Sequence, residues 1–194
     1  MDRNYEYVYF ENDFSIKAFV HRIRNFKLHW HNQLEILYVV KGSISMILNG
    51  NTFILHKNEM ALINSGDIHS TSHTEEGNLI IALHLIDSEE NHLYNLRNLT
   101  FDNDSFMKDQ RLGKAPINTL RSYLAQIVWE YNKRTTGFEH VILSMTNSLL
   151  ACLLRNYYLV PQNGKDNNAD NTERLSSILN YINDHFSEKI SLKT

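Results

Sequence analysis

The chain has one cysteine, two prolines and seven glycines in 194 residues, and each shortage excludes something. A single cysteine cannot build a disulfide framework. Cys152 stands among Leu149, Leu150, Leu153 and Leu154, where a buried, unreactive thiol is expected. The opening residues are too polar and acidic for a secretory or transit segment, so a reducing, cytoplasmic compartment is expected. Charge of one sign is also scarce. A formal net charge of −3 gives no broad basic surface, and these residues alone should not hold a polyphosphate strongly. Gly-rich phosphate cradles, Gly-x-Ser-x-Gly elbows and Cys-x-x-Cys pairs are all absent. What is present is ordinary globular material, 42% hydrophobic and 21% charged, which excludes a disordered chain, a collagen-like repeat and a membrane protein.

The few glycines and prolines punctuate the chain. Tyr5 to Phe10 and Phe14 to Ile23 alternate in polarity, and Leu34 to Val40 is an apolar run carrying Glu35. Strand-like Ile44 to Leu48 and Thr52 to Leu55 flank Asn49-Gly50, a hairpin signal because both turn positions favour positive φ. Turns are expected at Asn64 to Asp67 and at Glu75-Glu76-Gly77, bounding strands at Met60 to Ile63 and Leu79 to Ile86. Short strands at this spacing imply a sandwich or barrel. The period then changes. Ile117, Leu120, Leu124, Ile127, Val128 and Tyr131 recur at helical steps behind Pro116, and Val141 to Leu159 predicts a second helix, apolar over most of its circumference. Asp102-Asn103-Asp104 reads as an exposed loop, since the calcium-loop pattern around it is incomplete. Residues 161–172 read as a polar linker. Leu175, Ile178, Leu179, Ile182 and Phe186 mark a further amphipathic helix, in a domain expected to continue past Thr194.

Chemistry concentrates in His29-Trp30-His31-Asn32-Gln33-Leu34-Glu35, with Gly42 after it. Residues 29, 31 and 35 share strand parity, which turns two imidazoles and a carboxylate to one face. A closed barrel could bring His69 of Gly66-Asp67-Ile68-His69 alongside them. Three nitrogens and one oxygen suit zinc, iron, nickel, manganese or copper, so His29, His31, Glu35 and His69 are the candidate metal ligands. A hydrogen-bonded, metal-free polar cluster is the other reading of the same residues. His84 shares parity with Ile80, Ala82 and Ile86 and reads as a pocket or core histidine rather than a fifth ligand. Packing is the default for Tyr38 and Trp30 beside the motif, with an effector contact as the alternative. His21, His56, His92, His140 and His185 are expected on the surface.

These residues resemble the cupin superfamily, whose first motif (His-x-His, Glu, Gly) is matched at His29, His31, Glu35 and Gly42. The second motif keeps Gly66 and His69, while Asn64 stands for its proline and His73 for its asparagine. With the order of its parts, the chain resembles the amino-terminal region of an AraC-family bacterial transcription regulator. The resemblance implies a mainly β fold with α: a cupin-like jelly-roll barrel over about 1–86, then an antiparallel helix pair over about 116–159, together a sensor and dimerisation domain at 1–160. Beyond the linker, 173–194 would open a truncated helix-turn-helix DNA-binding domain.

What the resemblance implies about function is an effector-sensing, dimerising module without enzymatic activity. A small molecule, with a sugar as one guess, would enter a pocket formed by His29, His31, Glu35, Tyr38, His69 and His84. A divalent ion (Zn, Ni, Fe or Mn) is a candidate cofactor. A homodimer is expected through Val141, Met145, Leu149 and Leu153, although both faces of that helix could instead be used within one subunit. DNA would be bound only through the part beyond Thr194, and no membrane is involved. The alternative is a metal-dependent cupin enzyme, an isomerase or dioxygenase, with His29, His31, Glu35 and His69 around a catalytic ion.

Overall fold

Two strands far longer than the usual five or six residues organise the β half. The computed structural model describes residues 4–10, 16–86 and 96–159. Its strands are β1 (Asn4–Tyr5), β2 (Ile16–His21), β3 (Asn25–Trp30), β4 (Leu34–Leu48), β5 (Asn51–His56), β6 (Met60–Ile63) and β7 (His69–Leu85). β4 and β7 pair antiparallel from Leu34 opposite Leu85 to Leu48 opposite His69. β2 and β6 flank one half of this ladder, and β3 and β5 flank the other. The result is two four-stranded layers that share their central strands, with β1 added parallel to β3.

The ladder slips register between Val39 and Lys41 and between Gly42 and Ile44. A one-residue slip turns every later side chain to the other face, and the burial pattern shows it. In β4, Leu37 and Val39 enter one core cluster before the slip, and Ile44, Met46 and Leu48 enter it afterwards. Odd positions thus become even ones. β7 does the same, with His69 and Thr71 buried before Gly77 and Ile80 and Ala82 after it. Gly42 and Gly77 both take left-handed φ, 70° and 67°. The sequence suggests two strands broken near Gly42 and a turn at Glu75-Glu76-Gly77. Both strands in fact run through, because glycine absorbs the bulge without ending the ladder, and Ser43 Oγ bonds Thr74 Oγ1 (2.7 Å) and Glu76 Oε2 (3.1 Å) beside it. Tyr5 to Phe10 is also shorter as a strand than its alternation suggests, since only Asn4–Tyr5 pairs as β1.

Three helices follow: α1 (Asn103–Arg111), α2 (Ala115–Lys133) and α3 (Phe138–Tyr157). α1 stands where a loop was expected. Only Phe106 and Gln110 are buried on it, too few for a readable period, but Asp102 caps it by accepting from Ser105 N (3.0 Å) and Ser105 Oγ (2.6 Å). Asp102→Ala should lower stability by about 1 kcal/mol, the usual value of such a cap. Urea denaturation checks this, and an unchanged midpoint would show that the cap contributes nothing. Gln110 replaces a strand partner at the free edge of β6, taking Met60 N on its carbonyl (2.5 Å) and giving its amide to Met60 O (3.1 Å).

α2 and α3 run antiparallel, with Cys152 Sγ near the end of α3 lying 3.8 Å from Pro116 O at the start of α2. Ile117, Leu120, Leu124 and Ile127 of α2 and Ile142, Leu149 and Leu153 of α3 join one apolar cluster with Ile16, Ala18, Leu34, Ile36, Leu83 and Leu85 of the sheet. Burial at this level contributes roughly 1.5–3 kcal/mol per large side chain. It also corrects the expected dimer surface. Leu149 and Leu153 are both 0% exposed within the single chain, so they have no surface left for a second subunit. Val141 (40% exposed) and the partly covered Met145 retain some. Among the described residues no helix is long and apolar enough to cross a membrane. The linker expected at 161–172 and the helical start expected at 173–194 lie outside the described residues.

Candidate metal centre

Five of the singled-out residues converge at one end of the barrel: His29, His31, Glu35, His69 and His84, all buried. His29 is the last residue but one of β3 and pairs with His69, the first residue of β7. His31 lies in the bend between β3 and β4, so the shared parity of 29, 31 and 35 brings them together through a bend rather than along one flat strand. Glu35 and His84 are direct cross-strand partners on β4 and β7. Glu35 is the hub. Its Oε2 lies 3.0 Å from His31 Nε2 and 3.3 Å from His69 Nε2, and its Oε1 lies 3.5 Å from His84 Nε2. His29 Nε2 approaches Glu6 Oε2 at 3.0 Å.

The backbone sets two of the rings. His29 Nδ1–H donates to Lys27 O (2.8 Å) and His69 Nδ1–H to Asp67 O (3.0 Å). With Nδ1–H held by a carbonyl, the usual way a protein orients a histidine ligand, Nε2 is the atom turned inward, and a bound cation would displace the proton it shares with Glu6 or Glu35. His31 Nδ1 and His84 Nδ1 are buried without a partner. The donor atoms form two overlapping sets, His29–His31–His69 and His31–Glu35–His84, each lying within 4.8 Å of one another. Converging imidazole nitrogens with a carboxylate oxygen fit a first-row divalent cation, and His29, His31, Glu35 and His69 would hold it.

Charge is arranged to the same end. Burial alone would raise the Glu35 carboxyl, but the His84 imidazole and the hydrogen bonds to His31 and His69 outweigh it and hold it well below the usual carboxylate range. Burial pulls the His69 imidazole down, and its bond to Glu35 overcomes this and leaves it raised. For His84 burial wins over Glu35 and the ring is lowered. Glu6 is pushed up by burial and brought below its ordinary value by the His29 bond.

The sixth expected member of the pocket, Tyr38, falls elsewhere. Tyr38 is three residues from Glu35 and so has opposite parity. It packs on the helix-side cluster, and its hydroxyl donates to Asn58 Oδ1 (3.0 Å). His21 was expected on the surface, yet it is half-buried, stacked on Phe19 at 4.7 Å, with Nδ1 enclosed and unpartnered. Burial pulls its pKa down.

The departures from the second motif have structural uses. His73 is exposed and gives its Nδ1–H to Arg24 O (2.8 Å), away from the cluster. Asn64 gives its amide to Phe101 O (3.2 Å) and accepts Phe101 N (2.8 Å), tying the barrel to the chain entering α1. Its own N–H donates to Asp67 Oδ2 (2.9 Å), which a proline could not do.

One feature had no motif to reveal it. A cavity of about 730 Å³ lies beside Asn64 and Asp67, lined also by Phe53, Leu62, Met107 and Arg111 among others. It depends on α1, whose existence the sequence pattern does not disclose.

Residues 23–86 match the family model for the cupin domain. Among solved structures the chain is similar to an RmlC-like cupin from Shewanella frigidimarina (16% identity, 40% of this chain and 71% of that one, TM-score 0.35). It is similar to the cupin domain of Cnp3 from Schizosaccharomyces pombe (19% identity, 43% and 64%, TM-score 0.38). It is also similar to KdgF from Halomonas sp. (21% identity, 40% and 74%, TM-score 0.35). No curated protein matches the chain. The matched segment carries all five members of the His/Glu cluster, and residues 23–86 are a cupin domain.

Proposed function

We propose that this chain is the effector-sensing and dimerisation region of an AraC-type bacterial transcription regulator, in which a small molecule or ion bound in the barrel biases how DNA-binding helices are presented. One observation supports it above the others: the two strands that carry Glu35 and His84 also carry the seat of the helices. Glu35 faces the barrel interior between Leu34 and Ile36, and His84 does so between Leu83 and Leu85. Those four neighbours pack in the cluster that holds Ile117, Leu120, Ile142 and Leu149 of α2 and α3. An occupant that prefers one arrangement of Glu35 and His84 therefore acts on the helix seat through a single strand's thickness. It shifts the population by its differential affinity and no more. Cytoplasmic location, DNA binding through residues beyond Thr194 and absence of enzymatic activity belong to the same proposal.

Light scattering at micromolar concentration tests the dimer. Twice the chain mass is expected, falling to one chain mass when Val141 and Met145, four residues apart on one helical stripe, both become glutamate with the circular dichroism unchanged. A monomer from the unsubstituted chain would overturn the dimerisation half of the proposal.

The second reading, a metal-dependent cupin enzyme, is favoured by the converging Nε2 atoms. A bound divalent ion would supply Lewis acidity there. His29 and His69 would hold their coordinating atoms inward through the bonds to Lys27 O and Asp67 O.

A further inference from the structure

The cupin motif accounts for three histidines and a glutamate, but the barrel encloses a fourth imidazole against the same carboxylate. His84 stands directly opposite Glu35 in the β4–β7 ladder. The two oxygens of Glu35 are divided, Oε2 towards His31 and His69 and Oε1 towards His84 at 3.5 Å. The His84 ring is fixed from behind. It lies nearly parallel to Phe19 (10°, centroids 5.7 Å apart), and Phe19 is stacked in turn on His21. The His84 side chain is 5% exposed, and its Nδ1 meets no partner. A histidine kept only to fill space leaves such an atom at a cost of about 1–3 kcal/mol, and an apolar residue of similar size would avoid it. Its Nε2 completes a donor set with His31 and Glu35 that shares His31 with the set made by the motif histidines.

We propose that His84 is a fifth protein donor, so that a divalent cation in this barrel is held by four imidazoles and one carboxylate. The inference rests on the metal reading of the cluster and is independent of the regulator reading. It narrows the class of ion. Four nitrogens and one oxygen favour the borderline ions cobalt, nickel, copper and zinc over manganese, magnesium and calcium, which prefer oxygen-rich sites. Five protein donors also leave at most one position of a six-coordinate ion for an exogenous ligand, which restricts what can be exchanged there.

Cobalt(II) is the probe, because its visible absorption reports coordination number and donor type without any need for activity. Metal-free chain is titrated with cobalt(II) against a competing chelator. The unsubstituted chain should take up one ion. His84→Ala should bind it on the order of tenfold to a hundredfold more weakly and with an altered visible spectrum. His21→Ala, which removes only the outer ring of the stack, should change neither. If His84→Ala fails to fold, as judged by its thermal transition, His84→Gln keeps the volume and a polar tip and should show the same weakening. Wild-type affinity and spectrum in a folded His84 variant, with binding lost in His31→Ala, would overturn the role of His84 while leaving the motif site standing. No uptake by the unsubstituted chain would overturn the metal reading as a whole and this inference with it.

Discussion

Gly42→Ala should destabilise the protein by about 4 kcal/mol, the sum of left-handed strain and steric overlap. Gly42 has φ of 70°. A Cβ added there would lie 1.9 Å from Gly77 O, 2.8 Å from Gly77 C and 3.2 Å from Asn78 Cα. All three are backbone atoms, so no side-chain rotation relieves the clash. The neighbouring strand would have to move, and that strand is β7, which carries both His69 and His84. A chain of this size should then lose roughly 10 °C in Tm. Gly50→Ala is the matched control: φ there is 85°, but nothing lies within 4 Å of the added Cβ, so only the conformational cost of about 1–2 kcal/mol remains. Guanidinium denaturation of the two variants side by side checks the difference. Equal losses would mean that the approach of β4 to β7 at this point is not as tight as the structure has it.

The same glycine explains what could and could not be read in the sequence. Within either half of β4 or β7 the alternation is clean; the strands expected at Leu34 to Val40 and Ile44 to Leu48 lie inside β4, and the one expected at Leu79 to Ile86 lies inside β7 but for Ile86. Joining them required knowing that inward positions change from odd to even at Gly42 and at Gly77, and a local pattern carries no information about a slip made with another strand. His29, His31, Glu35 and His69 were legible because a motif fixed their spacing. His84 was legible only as an inward-facing histidine. Its pairing with Glu35 depends on register between residues distant in sequence. α1 was illegible for a different reason, since a short helix with two buried residues has no period to detect. The apolar circumference of α3 suggests more than one covered face, and within the chain one stripe is covered, that of Ile142, Leu149, Leu153 and Tyr157. Which stripe is covered within the chain follows from its packing on α2 and the sheet, and Leu149 and Leu153 turn out to be on the covered one.

Glu35→Ala should lower stability by about 3–5 kcal/mol, because removing one member of a buried charged or polar set leaves the others uncompensated. Here the others are three imidazoles whose Nε2 atoms lie 3.0 to 3.5 Å from the lost oxygens. That loss alone would not show why the cluster exists, since a stabilising network and a binding site both respond in this way. A second variant separates them. When His31, Glu35, His69 and His84 are replaced together by leucine or methionine of like volume, no polar partner is left behind. Apolar substitution of an entire buried ionic set is commonly neutral or stabilising by about 1–4 kcal/mol. The repacked chain should therefore melt at or above the temperature of the original, and both variants should fail to bind cobalt(II). A repacked chain no more stable than Glu35→Ala would make the cluster a structural network. A repacked chain that matches or exceeds the original means the barrel keeps these four buried polar side chains at the expense of its own stability, which is the expected signature of a site retained for what it binds.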